Sequence, residues 1–399
     1  MRVALYCARK NNETFNVDAL GLNYIAAYCA DESYNIEIEI FDSIDEIIKF
    51  RPSILGISSV TQTINDARKC ARDVKLSLGN ITTVLGGYHI TTFKKLPPEF
   101  DYGITGEGER SFKTLILKKI GKRLSKKKVI NGVYTPFSEL PFPIHNKLYS
   151  DKFPIFTSRG CPYSCKFCAS SVMWKNEIEF RTAWDVVDEI EYNYSKFNFR
   201  QLYILDDLWI ADAARLKDIQ RELTTRNLVG KFSIFGFVRS NLINEDNIQI
   251  LKSIGYKNPR FGLETGSNRL LREMKGNNIS VENHQRVIDL SQKYKMKACG
   301  SLMFGYPGET EDDINKTINF LDKNRGKFSI HGFYFFNPIP GTAIWNELKL
   351  STSSDYSGMQ LDLLNGFDWN KARNYYYNPR LDFDKFKNII QKIIKEFIK

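Results

Sequence analysis

With 399 residues, 42% of them hydrophobic, the chain can bury substantial cores and is expected to form two domains. No stretch approaches the roughly 20 uninterrupted apolar residues of a membrane span, and the start, Met1 to Cys7, runs directly into a strand-like pattern and not a signal peptide. Seven cysteines, three of them clustered, fit a reducing cytosol better than a disulfide framework, and the net charge of +11 sits partly in the run Lys118 to Lys128. That run lacks interleaved aromatics, so it reads as a solvated helix end and loop and does not single out nucleic acid.

Residues 1–117 alternate short apolar strands with helical patterns. Strands are predicted at Val3–Cys7, Ile36–Phe41, Ile54–Ser58, Thr82–Leu85 and Tyr102–Thr105, with helices near 20–30, 43–50, 64–78 and 109–119. This alternation implies an α/β fold with a doubly wound parallel sheet, whose ligands bind beyond the carboxyl ends of the strands. Small residues stand at those ends. Ser59 and Thr61 follow the third strand, Gly86 and Gly87 the fourth, and Gly106 and Glu107 the fifth. Absent side chains there let a ligand approach the backbone.

A Pro-rich stretch, placed at 131–154, separates this domain (1–130) from a second strand–helix series (155–345). The second series opens on Ser158-Arg159-Gly160-Cys161-Pro162-Tyr163-Ser164-Cys165-Lys166-Phe167-Cys168. The spacing C-x-x-x-C-x-x-C lets one short loop fold three thiolates toward a common centre, and soft thiolates favour iron–sulfur clusters or zinc. Structural zinc takes four ligands, and no local fourth is present. Three ligands on a four-iron cluster leave one iron open. The loop resembles that of the radical S-adenosylmethionine (SAM) superfamily, in which the open iron of a 4Fe–4S cluster chelates SAM. The resemblance implies Cys161, Cys165 and Cys168 as cluster ligands and places Phe167 against the SAM adenine.

Further strands are predicted at 155–158, 201–205, 232–237, 259–263, 299–304 and 331–336. Six such units suit a partial (βα)6 TIM-like barrel; a closed barrel needs eight. The second strand ends in Asp206 and Asp207, a pair suited to binding the SAM ammonium, orienting substrate or moving protons, with helix capping the alternative for Asp207. The third ends at Arg239, suited to a bidentate carboxylate contact or a structural ion pair. Gly262-Leu263-Glu264-Thr265-Gly266-Ser267 and Phe304-Gly305-Tyr306-Pro307-Gly308-Glu309-Thr310 resemble the family's G-x-E-[ST]-G-S and G-x-P-G-E-T. By that resemblance Glu264 contacts SAM and Gly305 lines the cofactor site; Glu309 has helix capping as its alternative. Cys299, at the start of its strand, reads as a buried small hydrophobe.

Within the same superfamily, the order of features in residues 1–117 is similar to the cobalamin-binding domain that precedes the radical domain in one subfamily. The resemblance implies cobalamin near Ser59, Thr61, Gly86, Gly87, Gly106 and Glu107, although the D-x-H-x-x-G motif of many cobalamin proteins is absent. His89 is a further candidate for a cofactor tail, or a packing histidine. Residues 346–399 form a C-terminal extension. There Trp369 and Tyr375 to Tyr377 are candidates for a substrate entrance, and Phe383, Phe386, Ile389, Ile390, Ile393, Ile394 and Phe397 follow helical spacing, as in a closing helix. The resemblance as a whole implies reductive cleavage of SAM to a 5′-deoxyadenosyl radical, an electron donor such as flavodoxin or ferredoxin, and an anaerobic cytoplasmic setting. Cobalamin-dependent methyl transfer to an unactivated carbon of a small-molecule or peptide substrate is the leading expectation. Cobalamin-independent ring formation, rearrangement, epimerisation or dehydrogenation is its rival, and a non-catalytic sensor the third reading.

Overall fold

The computed structural model describes residues 1–8, 19–124, 128–145, 151–350, 363 and 367–397. They fall into two compact units, one built on Met1–Ser150 and the other on Asp151–Leu350 with Gly358–Lys399.

The first unit is a six-stranded, all-parallel sheet of β1 (Arg2–Cys7), β2 (Glu37–Phe41), β3 (Ile54–Ser58), β4 (Thr82–Gly86), β5 (Tyr102–Thr105) and β6 (Val129–Asn131), in the order β2-β1-β3-β4-β5-β6. Both faces are covered, as parallel sheets require. Helices Ile44–Phe50 and Ile64–Leu78 bury Ile47, Ala67, Cys70, Ala71 and Val74 on one face; Leu20–Cys29 and Glu109–Ile120 bury Leu22, Ala26, Phe112, Leu115 and Ile116 on the other. Strand order reverses at β1, between β2 and β3, so the crevice at the carboxyl ends opens beside Ser58. Cys29 and Cys70 lie one in each core, their thiols pushed up to about 12 by burial. The three-residue β6 is too short to register as a pattern. The stretch after it packs on this unit: Asn23 Nδ2 donates to Ile144 O at 2.8 Å, and Phe137 meets Tyr24 edge-on.

The second unit holds β7 (Lys152–Ile155), β8 (Ser158–Gly160), β9 (Ile178–Phe180), β10 (Gln201–Ile204), β11 (Ser233–Phe235), β12 (Phe237–Val238), β13 (Arg260–Glu264), β14 (Cys299–Phe304) and β15 (Ser329–Phe335). Parallel sheets of order β7-β10-β11 and β12-β13-β14-β15 make up the barrel wall, while β8 and β9 pair antiparallel. Two expectations change. The strand expected at 155–158 ends at Ile155: Phe156 gives its carbonyl to the Arg181 side chain, and Thr157 O accepts from the Arg215 guanidinium and from the Arg181 backbone N–H that follows β9, not from β10. The single strand expected at 232–237 is divided at Gly236: β11 pairs with β10 and β12 with β13. An isolated parallel bridge from Ile234 to Tyr256 spans the division. Among the described residues, no helix is long and apolar enough to cross a membrane.

The closing helix, Phe383–Phe397, buries Phe383, Phe386, Ile390 and Ile393. Trp369 and Tyr376 pack on Phe386, so both belong to the seam under this helix and not to an open entrance. Asp368 caps the short helix Trp369–Ala372.

Candidate active site

Cys161, Cys165 and Cys168 lie between β8 and the helix Ala169–Trp174, on a backbone fixed from below. Asp206, wholly buried, accepts from Thr157 N at 2.6 Å, from Ser158 Oγ at 2.8 Å and from the Thr157 hydroxyl. Arg215 donates to Thr157 O at 2.6 Å and Arg181 to Phe156 O at 2.9 Å, and Arg181 is itself paired with the buried Glu189. Burial raises Asp206 above the ordinary carboxylate range, and the donors from Thr157 oppose the rise. Its oxygens are thus committed to the strand that carries the loop. Arg181, Arg215 and Glu189 give no motif in the sequence; only their burial reveals them.

The loop is also clasped from the opposite side. Lys166 N donates to Met274 O and Lys166 O accepts from Ile344 N, while Lys166 Nζ reaches Glu273 at 2.7 Å and Glu347 at 3.1 Å. Phe167 packs into the cluster of Leu270, Met274, Met303, Tyr306, Phe336 and Ile344. Among the described residues, Arg239 forms no ion pair. Its guanidinium lies 3.9 Å from the centre of the Tyr163 ring, and Nη1 donates to Cys165 Sγ at 3.3 Å. Burial pushes the thiols of Cys161 and Cys168 up, Cys168 to about 11, and the neighbouring cysteines and Asp207 add to the rise. Asp207 therefore faces the cysteine loop; the cap of the next helix is Asp212.

Among the described residues, no three His, Cys, Asp or Glu side chains converge as they do around a single metal ion. Thiolates on three different irons of a cubane stand farther apart than ligands of one ion, and a loop of three thiols with no carboxylate or imidazole among the donors suits such a cluster.

Glu264 ends β13 in the left-handed region, at φ +61°, beside a shift of register with β14. Its carboxylate meets Lys275 Nζ at 2.8 Å, and the same ammonium donates to Gly262 O at 2.8 Å. No sequence signal points to Lys275, which returns to Glu264 only through the turn of helix Asn268–Lys275. Gly305, at φ +87°, donates its N–H to Glu309 at 2.6 Å. Glu309 thereby shapes the turn, and the helix cap is Thr310.

In the first unit, Gly87 has φ +91°, and a Cβ there would stand 2.6 Å from Ser59 O. Ser59 Oγ meets Thr63 Oγ1 at 3.1 Å, and Gly106 N donates to Thr91 Oγ1 at 2.9 Å. Glu107 accepts from Thr135 N at 2.7 Å. Around the ends of β3 and β4, Thr61 Oγ1, His89 Nδ1 and Thr92 Oγ1 are buried without partners. Burial, and then the Arg68 charge, lower His89 to about 4, leaving a neutral ring. Unsatisfied buried donors and acceptors of this kind fit a polar guest such as a corrinoid tail.

The radical SAM superfamily model matches residues 155–321, and the B12 binding domain model matches residues 11–116. The chain carries a B12-binding domain ahead of a radical SAM domain. An uncharacterised methyltransferase of Pyrococcus horikoshii is 29% identical over 366 residues, covering 82% of this chain and 77% of the relative. A bacteriochlorophyllide d C-12(1)-methyltransferase of Chlorobaculum tepidum is 23% identical over 258 residues, and the match spans about half of that relative's length (64% of this chain, 52% of the relative). The radical SAM methyltransferase TsrM of Kitasatospora setae, solved with cobalamin and a 4Fe–4S cluster, shares the fold at a TM-score of 0.72 and 16% identity, over 87% of this chain and 74% of that one. The radical SAM domain thus contains the cysteine loop, and the B12-binding domain contains the Ser59 and Gly87 crevice.

Proposed function

We propose that this radical SAM protein is a cobalamin-dependent methyltransferase acting on an unactivated carbon. The observation that carries the reading is the presence, in one chain, of the three-cysteine loop and of a B12-binding domain whose crevice leaves Thr61, His89 and Thr92 with buried, unsatisfied polar atoms. When bound, a 4Fe–4S cluster supplies the electron for reductive cleavage of SAM, and cobalamin supplies a methyl carrier. Cys161, Cys165 and Cys168 would hold the cluster, Arg239 would place a positive charge on its Cys165 side, and Asp206 would keep the loop's backbone in place. Phe167, Glu264 and the Gly305 turn would orient SAM, with Lys275 fixing the position of the Glu264 carboxylate at the strand mouth. Asp207 is the carboxylate left at the mouth for substrate or proton handling. Ser59, Thr61, Gly86, Gly87 and Gly106 would border the corrinoid. An electron donor of the flavodoxin or ferredoxin type and a cytoplasmic, low-oxygen setting belong to the same reading.

The test is anaerobic reconstitution with iron, sulfide and cobalamin, then mass spectrometry of the SAM products. The expected outcome is S-adenosylhomocysteine together with 5′-deoxyadenosine, both lost when Cys161, Cys165 and Cys168 are replaced by Ala. Deoxyadenosine alone from cobalamin-loaded protein turning over its substrate would favour ring formation, rearrangement, epimerisation or dehydrogenation.

A further inference from the structure

One face of the barrel sheet carries side chains that neither the cysteine loop nor the strand-end motifs use. Side chains alternate between the faces of a strand, and residues paired across parallel strands share a face. Leu202, Ile204, Ile234, Phe261 and Leu263 form the buried face. Tyr203 and Phe235, paired with each other, and Phe237 and Arg260, paired likewise, stand on the other. That second face is concave. Two strands separate β12 from β15, roughly 14 Å in a flat sheet, yet the rings of Phe237 and His331 approach to 5.6 Å.

Arg260 is the cation of this wall. Its guanidinium lies 5.4 Å from the Phe235 ring and 5.9 Å from the Tyr203 ring, which stack on each other at 5.0 Å, and Lys152 Nζ stands 5.5 Å from the Tyr203 centre. Arg260 Nε is buried and has no acceptor. Among the described residues, no carboxylate lies within ion-pair distance of Arg260 or Lys152. A half-buried guanidinium ordinarily carries a bidentate acceptor, and ring contacts leave its N–H edge free for one. Beside it, Phe237 keeps 43% of its surface exposed within the concavity, and His331 is exposed as well. Desolvation of the ring by the concave wall, and then the Arg260 charge, hold His331 below its usual range, so the ring adds apolar surface without a third charge.

We propose that this wall binds the substrate through an acid group: a carboxylate or phosphate on Arg260 with Lys152 behind it, and an apolar or aromatic body against Phe237 and His331. The proposal rests on the reading of the barrel as a radical SAM catalyst. Arg260 begins β13 and Glu264 ends it, so the anchor lies about 13 Å below the strand mouth. The substrate class is accordingly an extended acid whose reacting carbon is remote from its charge. Two cations with no carboxylate at ion-pair distance among the described residues, on a concave surface, also concentrate anions there.

The test is equilibrium dialysis of the full-length, anaerobically reconstituted protein against 2-naphthoate and its neutral analogue 2-naphthalenemethanol. A charged hydrogen bond gained at Arg260 should favour the acid by about tenfold or more. Arg260→Gln should erase that preference, and Arg260→Lys should keep part of it, which separates a lost contact from a failure to fold. Equal binding of acid and alcohol by the wild type, or an undiminished preference in Arg260→Gln, would overturn the proposal. So would a loss of cobalamin in Arg260→Gln with the preference for the acid intact, which would assign the cation to the cofactor's phosphate. The parent reading fails by a different readout: wild-type protein that prefers the acid yet shows no cluster absorption or SAM cleavage would support the anion site and remove the radical chemistry.

Discussion

Asp206 and Glu309 are both wholly buried carboxylates near strand mouths, held by different numbers of donors. Asp206 takes hydrogen bonds from the Thr157 N–H and from the hydroxyls of Thr157 and Ser158. Glu309 takes one, from Gly305 N, and its Oε1 has none. Burial therefore pushes Glu309 to about 8, against 4.5 for an ordinary glutamate. The folded state then binds a proton that the unfolded chain releases between those values. The stability this contributes is complete below about 4.5 and is lost progressively as pH rises to about 8. Glu309→Gln, which keeps the shape and cannot ionise, should flatten that part of the wild-type pH dependence, read from urea midpoints across the window. Parallel profiles would show that Glu309 is already ionised in the folded protein.

At the scale of elements, the C-terminal extension braces the Gly305–Glu309 turn. Asn378 accepts from Gly308 N at 3.0 Å and donates to Glu309 O at 2.8 Å, and Phe386 packs against Gly305, where a Cβ would come within 3.3 Å of its ring. Asn378→Ala should cost about 1–3 kcal/mol and speed amide exchange at Gly308; unchanged exchange there would mean that the turn holds itself. The helical stripe behind this brace was legible, because apolar spacing reports a buried face. Its partner was not, since nothing local ties Phe386 to a glycine 81 positions earlier. The same division runs through the barrel. Alternating strands and helices located Cys299–Phe304 to the residue, whereas Phe156 and Thr157 resembled strand and left the ladder for arginines 25 and 58 positions on. Arg239 stood at a strand end as expected, but its place over Tyr163 depends on a fold-back of 74 residues to the cysteine loop.

At the scale of the whole molecule, the two units place the two chemistries in separate cores, so a defect can be assigned to one of them. Gly87→Ala forces a left-handed φ and a contact with Ser59 O, and should cost a few kcal/mol in the first unit. Calorimetry should show the same transition lowered by Gly87→Ala and raised by added cobalamin, because a ligand stabilises only the state that binds it. If cobalamin raised a transition that Gly87→Ala leaves in place, the corrinoid would not lie in this crevice.

The buried ties beneath the cysteine loop have a consequence for how the enzyme matures. Small zinc domains need their metal in order to fold. Here Asp206, Arg181 and Arg215 hold residues 156–158 through the protein's own groups, so the polypeptide is expected to fold before it receives its inorganic cargo. Chelation should then strip the iron, seen as bleaching of the visible absorption, while far-ultraviolet dichroism stays native and iron with sulfide restores the colour. Loss of dichroism along with the colour would instead make the cluster part of the scaffold.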